Sequence, residues 1–158
     1  MTIKELVKEY ERTNELPLNS LNIKNHVPYI ERLNKGEHIA KCTTLEIDEN
    51  GNFTDVIKVN TLSRCILFAL TLLDMYTDLE VNYDDIIYEY DFITMHGICE
   101  KIISRLNAME VEQFDQIIQC ISNDYITNTY SAQAWITSTL SKMGKTYMDV
   151  LGDVTSTK

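Results

Sequence analysis

The sequence predicts a mainly α protein, a compact domain of about six helices around one central apolar helix, with one small β-hairpin. Only two prolines and five glycines occur in 158 residues, so residues that break helices are scarce. Apolar residues recur at helical spacing over most of the chain, and one stretch alternates with period two. We expect a single domain over residues 1–158, a length that buries a sizeable core.

The N-terminal segment predicts a short amphipathic helix, because Thr2 and Glu5 have the spacing of a capping box ahead of apolar residues at helical intervals. Residues 15–25 combine Asn and Pro with scattered Leu and Ile, which predicts an extended connector. Pro28 suits the first turn of a second helix, which we expect to run to about Ala40.

The stretch KCTTLEIDENGNFTDVIKV alternates with period two around Asn50-Gly51, which predicts a β-hairpin over residues 43–59. Its turn has Asp and Asn at alternate positions, as a calcium-binding EF-hand loop has. That loop requires Gly and Glu where this sequence has Phe53 and Val59, so the hairpin interpretation is favoured.

Asn60 caps the predicted central helix, TLSRCILFALTLLDMYT, whose polar residues fall in one narrow stripe. Because nearly every other side of this helix is apolar, we expect several elements to enclose it, with the hairpin packing nearby. The residues predicted to be largely buried are Ile66, Leu67, Phe68, Leu70 and Leu73.

Two further helices are predicted after the central helix. Asn82 caps the first of them and Gly97 ends it, and ICEKIISRL forms the second, which is short. Asn107 and Glu110 then resemble another capping box, which marks the start of a longer amphipathic helix.

The C-terminal third predicts two separate helices, one with an apolar stripe that reaches Tyr125 and a last one from about Ser131 to Leu151. Residues 152–158 are expected to be a frayed tail. Tyr130 and Trp135 are candidates to anchor a contact with a partner. Burial of Trp135 in the core is the alternative, and the sequence leaves both open.

The segment DMYTDLEVNYDD, residues 74–85, contains five carboxylates, and no Lys or Arg occurs from residue 66 to residue 100. Helix capping and solvated charge are the favoured explanation, because helix N-termini stabilise anions. A hard-cation site is an alternative, whereas a catalytic acid pair is disfavoured because no His or Lys neighbours these acids. Another alternative is a phosphate-mimic surface for a basic partner, formed by Asp74, Asp78, Glu80, Asp84, Asp85, Glu89 and Asp91.

Composition disfavours several classes of function. The formal net charge of −10 argues against binding nucleic acid or anionic membrane. His38 with Cys42, and His96 with Cys99, have loose zinc-ligand spacings that arise readily by chance, so we expect no metal. No nucleotide-binding loop or nucleophile motif is present, so we expect neither a cofactor nor an enzyme. The four cysteines form no C-x-x-C pair, which is typical of a reducing compartment.

The run KVNTLSRCILFALTLLDMYTDLEVN, followed by YDFITMHGICEKI, resembles small proteins of tailed phages that infect Gram-positive bacteria and are encoded near virion structural genes. The resemblance covers about residues 27–106. It implies a virion-associated or assembly protein that contacts a phage structural protein, with self-association also open, located in the virion or the host cytoplasm. It leaves open a small acidic inhibitor of a host defence or nucleic-acid-binding enzyme.

Overall fold

The computed structural model describes the backbone of residues 1–14 and 21–156, and their side chains as far as residue 140 except residue 138. Within this part of the chain, six α-helices and one antiparallel hairpin confirm the predicted mainly α fold. The helices are α1 (Ile3–Thr13), α2 (Tyr29–Thr44), α3 (Thr61–Tyr76), α4 (Ile86–Met95), α5 (Ile98–Ile103) and α6 (Ala108–Ser156). The hairpin strands are β1 (Leu45–Ile47) and β2 (Phe53–Ile57), and a 3₁₀ turn (Tyr83–Asp85) precedes α4.

The N-terminal ends of α1 and α3 form as their cap residues predict. The Thr2 hydroxyl accepts a hydrogen bond from the Glu5 amide at 3.2 Å, and the Glu5 carboxylate accepts one from the Thr2 amide at 2.8 Å. The Asn60 side chain accepts a hydrogen bond from the Ser63 amide at 3.0 Å. These caps give partners to amides that have none inside the helix, so both predictions are confirmed. Residues 15–20, most of the predicted connector, lie outside the described residues.

Helix α2 is longer than predicted and includes the start of the predicted hairpin. It continues through Thr43 and Thr44, and the Thr43 hydroxyl donates a hydrogen bond to the Ile39 carbonyl at 2.8 Å. Both threonines are buried, so their packing outweighs the preference of β-branched residues for strands. The first strand therefore begins only at Leu45.

Helix α3 lies between two apolar clusters, which confirms its central position. Its Leu70 and Leu73 belong to one cluster, together with side chains from α1, α4 and α5. Its Leu72, Met75 and Tyr76 belong to the other, together with side chains from α2 and α6. All five residues are at most 1% exposed, because neighbouring helices cover the apolar sides of α3.

The N-terminal half of α3 is less enclosed than the sequence predicts. Ile66, Leu67 and Phe68 are only half-buried, and Leu62 is 70% exposed. The hairpin packs mainly against α2 and α6, so it does not cover this end of α3. Phe68 still stacks on Phe114 of α6, with ring centroids 5.5 Å apart.

The two helices predicted for the C-terminal third are one continuous helix, α6, of 49 residues. Between Tyr125 and Ser131 the sequence has neither Gly nor Pro. Its Asn and Thr residues lower helix propensity but leave the backbone hydrogen bonds intact. The helix also includes residues 152–156 of the predicted frayed tail, and residues 157–158 lie outside the described residues.

Helices α2 and α6 approach each other closely at Gly36. A Cβ atom built on this glycine would lie 2.7 Å from Cγ2 of Ile117. The glycine that weakens α2 in the sequence therefore permits the packing of α2 against the longest helix of the fold.

Candidate protein interface

Two of the five carboxylates in the acidic segment are paired with lysines from other helices. Asp74 forms an ion pair with Lys35 of α2 at 2.9 Å, and Asp85 forms one with Lys4 of α1. Both pairs are partly exposed to solvent, which screens them, so the contribution of each pair to stability is small. Their charges are largely compensated within the chain, which weakens them as mimics of phosphate.

Asp78 and Glu80 form a junction with the N-terminus of the chain. The Met1 ammonium donates a hydrogen bond to the Asp78 carbonyl at 3.1 Å, and the Glu80 amide donates one to the Met1 carbonyl at 2.9 Å. The Asp78 carboxylate accepts a hydrogen bond from the Asn22 amide at 3.2 Å. Both acidic residues are exposed, so this corner of the protein combines structural contacts with solvated charge.

Glu89 is buried, whereas the phosphate-mimic hypothesis requires it at the surface. The residue is 0% exposed, and one carboxylate oxygen accepts a hydrogen bond from the Asn82 amide at 2.9 Å. Its other oxygen has no hydrogen-bond partner among the described residues. Burial raises the pKa of Glu89 above its usual value. The exposed acids that remain of the predicted set are Asp78, Glu80, Asp84 and Asp91.

The hairpin turn is closed by Asp48 and does not have the ligand arrangement of a calcium loop. The Asp48 carboxylate accepts hydrogen bonds from the amides of Asn50 and Asn52 at 2.9 and 2.8 Å. These bonds fix the turn between β1 and β2. In the part of the chain that the structure describes, no group of three or more His, Cys, Asp or Glu residues is placed to hold a metal ion.

The two His–Cys pairs with zinc-like spacing have other surroundings. Cys42 lies beside His38, with its Sγ 3.6 Å from the ring Nε2, whereas His96 packs against aromatic rings of α1 and α4. Burial raises the pKa of the Cys42 thiol, and it raises the pKa of Cys99 to about 11. Both thiols therefore stay protonated at neutral pH, which makes them poor nucleophiles.

Glu110 is a buried carboxylate that the sequence does not mark as a site. It accepts hydrogen bonds from the Tyr76 hydroxyl at 2.7 Å and from the Val27 amide at 3.2 Å, and it also pairs with Nδ1 of His26. Burial acts to raise the pKa of Glu110, but the hydrogen bonds outweigh this effect, so the pKa lies below its usual value. The network joins α6 to α3 and to the segment before α2.

The predicted capping box at the start of α6 is therefore only half correct. The Asn107 side chain accepts a hydrogen bond from the Met109 amide at 3.1 Å, as a cap residue does. The Glu110 carboxylate, which would complete the box, turns into the core toward Tyr76. A glutamate at this position of the first turn can complete a capping box or enter the core, so the sequence does not distinguish the two roles.

A shallow apolar groove lies between α2 and α6. It is lined by Tyr29 and Leu33 of α2 and by Ile117, Cys120 and Ile121 of α6, together with two glutamines. Tyr29 is 58% exposed, so the groove is open to solvent. Exposed apolar surface of this kind is typical of contact sites.

After Tyr125, α6 leaves the apolar clusters of the body of the protein, which we define as residues 1–125. Every described residue from 131 to 137 is exposed. Trp135 is 69% exposed and Tyr130 is 59% exposed, so the structure places both at the surface and Trp135 outside the core. Ile136 and Leu140 are 49% and 64% exposed. We call residues 127–140 the exposed α6 segment.

Comparison of the chain with protein-family models, with curated proteins and with solved structures found no match. Among the described residues, no helix combines the length and the apolar character needed to cross a membrane. The surfaces of the protein itself are therefore the basis on which a function can be proposed.

Proposed function

We propose that this chain is a non-enzymatic protein-interaction protein that acts in a phage virion or in its assembly. The observation that carries the proposal is the exposed α6 segment, where Trp135 and Tyr130 lie in solvent. Trp and Tyr are enriched among the residues that dominate binding energies, because each buries a large apolar area together with a polar group. Other aromatics are exposed as well, among them Tyr29 and Tyr88, but the α6 segment adds exposed Ile136 and Leu140 to its two aromatics on one helix.

The size of the exposed segment limits how tightly it can bind by itself. Full burial of a large apolar side chain contributes roughly 1.5–3 kcal/mol. Covering Tyr130, Trp135, Ile136 and Leu140 would thus contribute on the order of 8 kcal/mol, from which association subtracts about 4 kcal/mol or more. The remainder corresponds to a dissociation constant near the millimolar range. A stable complex therefore needs a further surface, and the groove between α2 and α6 lies on the same helix.

The partner in this proposal is a phage structural protein, and the complex forms in the virion or in the host cytoplasm. The net charge of −10 supports a protein partner over nucleic acid or anionic membrane, since both of those repel an acidic surface. The function requires no cofactor and no catalytic residue.

Capture from phage-infected cells tests the proposal. The full chain should capture a virion structural protein, identified by mass spectrometry, and the double variant Tyr130→Ala, Trp135→Ala should lose it. Tyr88→Ala is the matched control, because Tyr88 is 53% exposed on α4. If the natural chain captures no virion protein, or if the control loses the partner as completely as the double variant, the proposal fails.

A second candidate is a small acidic inhibitor of a host defence or nucleic-acid-binding enzyme. It is supported by Asp78, Glu80, Asp84 and Asp91, which are exposed in a segment without Lys or Arg. Such binding would weaken steeply with salt, and replacing the four acids by Asn or Gln would abolish it while the fold persists. Inhibition that withstands both changes would exclude the phosphate-mimic mechanism.

A further inference from the structure

We propose that the groove between α1 and α4 is a docking site for a basic amphipathic helix of another protein. The proposal goes beyond the proposed function, because this groove lies on other helices than the exposed α6 segment. That segment, residues 127–140, contains no charged residue, so the two surfaces suit partners of different chemistry. The side chains of the groove that carry the proposal are Tyr10, Glu11, Asp91, Phe92, Met95 and His96. We call it the α1–α4 groove.

Three rings in mutual contact line the α1–α4 groove. The ring of Tyr10 packs edge-on against Phe92, with centroids 6.2 Å apart, and the His96 ring lies 4.2 Å from Tyr10 and 4.6 Å from Phe92. Met95 lines the same groove and is 70% exposed, and Ile87, in an adjoining hollow on α4, is 74% exposed. A docked helix would therefore find apolar area to bury.

The charges around the groove identify the chemistry of the occupant. Glu11 and Asp91 line the groove, and Asp84 lines the adjoining hollow, which shares Asp91 with it. All three acids are exposed, and none forms an ion pair with another described residue. Within the described part of the chain, no Lys or Arg lines the groove or the hollow. These three groove acids therefore attract a cationic partner and repel an anionic one.

Two lysines at the ends of this surface have contacts of their own. Lys4 pairs with Asp85 at the start of α4, and Lys101 donates a hydrogen bond to the His96 carbonyl at 3.2 Å. Neither lysine bonds a groove acid. The charges of the three groove acids thus remain available to a partner.

The geometry of the groove favours a helix as the occupant. Helices α1 and α4 lie side by side, because they touch near one end at Lys4 and Asp85 and near the other at Tyr10 and His96. They are 11 and 10 residues long, or roughly 15 Å, and the groove between two such helices accepts the side chains of a third. Lys or Arg beside the apolar stripe of that helix would meet the groove acids, and cation–π attraction to the rings adds to this. A second copy of this chain is disfavoured, because each copy has a net charge of −10.

Fluorescence anisotropy with a labelled synthetic peptide and the full chain tests the proposal. The probe is a peptide of Leu and Lys, about 14 residues long, whose leucines fall on one face of a helix. Its control is a scrambled peptide of the same composition, which should bind roughly tenfold more weakly because it presents no apolar face. Added salt should weaken the binding of the probe without abolishing it, because salt does not screen the apolar contact.

A matched pair of charge variants locates the acidic part of the site. The double variant Asp84→Asn, Asp91→Asn should weaken binding of the probe by about tenfold. The double variant Asp55→Asn, Asp124→Asn removes the same charge from exposed positions on β2 and α6, and it should change the affinity by less than about twofold.

A matched pair of apolar variants locates the rest of the site. Met95→Ser should weaken binding of the probe by about tenfold, because a docked helix would bury this side chain. Leu62→Ser on α3 is the control, since Leu62 is also 70% exposed, and it should leave the affinity unchanged. Circular dichroism establishes that each variant is folded.

Three results would overturn the proposal. The probe could fail to bind, or the two members of either matched pair could weaken binding equally, which indicates attraction to the net charge of the chain and not to the groove. Self-association that Met95→Ser abolishes would make a second copy the occupant.

The groove and the exposed α6 segment can be tested separately. Tyr88 also lines the groove, so Tyr88→Ala should weaken binding of the probe and leave the capture of a virion protein intact. Failure of the probe to bind would refute the groove and leave the proposed function standing. Failure to capture a virion protein, with the probe bound as expected, would refute the proposed function alone.

Discussion

Removing one hydroxyl group, by Tyr76→Phe, tests whether the buried network around Glu110 holds the body together. Tyr76 is 0% exposed, and its hydroxyl donates a hydrogen bond to the Glu110 carboxylate at 2.7 Å. Phenylalanine keeps the ring and its packing against α2 and α6. The substitution therefore isolates one hydrogen bond to a charged group.

A hydrogen bond to a charged group contributes about 1.5–3 kcal/mol to stability. Glu110 is only 7% exposed, so water cannot easily replace the lost hydroxyl. The carboxylate keeps the Val27 amide and the His26 ring as partners, which limits the penalty. We expect Tyr76→Phe to lower the free energy of unfolding by about 2 kcal/mol, near the middle of that range.

Urea unfolding followed by circular dichroism measures this change. All samples are compared at one protein concentration. Tyr76→Phe should lower the midpoint without changing the slope. The control is Tyr90→Phe, a half-buried tyrosine packed against the other apolar cluster, which we expect to cost less than about 0.5 kcal/mol. Equal losses in the two variants would refute the assignment of the network.

The same network predicts a dependence of stability on pH. The folded-state pKa of Glu110 lies below its unfolded value, so the ionised carboxylate stabilises the fold. That stabilisation is fully present above the unfolded pKa and is lost as pH falls through the folded pKa. The difference between the natural chain and Glu110→Gln should therefore shrink on acidification, and a difference that stays constant or grows would contradict this.

Three further substitutions test the packing of the body by the same measurement. Leu70→Ala should cost about 2–5 kcal/mol, because Leu70 is 0% exposed at the centre of α3. Asp78→Asn should cost less than about 0.5 kcal/mol, since an exposed amide oxygen can still accept the Asn22 hydrogen bond; a larger loss there than at Leu70 would reverse the assignment of core and surface. Gly36→Ala should destabilise the chain by about 1 kcal/mol despite its gain in helix propensity, because the added Cβ forces Ile117 to move. A stabilised variant would show instead that α6 can shift to make room for the Cβ.

The features that the sequence predicted correctly are local. The capping box of Thr2 and Glu5 and the turn at Asn50-Gly51 depend on residues a few positions apart, so their spacing alone specifies them. The apolar character of α3 likewise predicts its central position. Each of these signals lies within one helix or one turn, and tertiary contacts reinforce it without changing it.

Contacts between distant segments left no signal in the sequence. Lys35 and Asp74 are 39 residues apart, and Tyr76 and Glu110 are 34 residues apart. The Lys35–Asp74 ion pair compensates the charge of an acid that was predicted to be solvated. The Tyr76–Glu110 hydrogen bond directs into the core a side chain that was predicted to cap α6. Glu89 shows the same limit, because its burial depends on how α4 packs and not on its neighbours in sequence.

The apolar face of α6 continues past the body, and this continuity explains why burial along it could not be predicted. Ile136 follows Ile118 by 18 residues, or five turns of about 3.6 residues, so the two lie on the same side of the helix. Ile118 is 0% exposed because α2 and α3 lie opposite it, whereas Ile136 is 49% exposed because the body ends before it. The periodicity of apolar residues identifies the face of α6 that needs packing. Only the fold shows where the body stops covering that face.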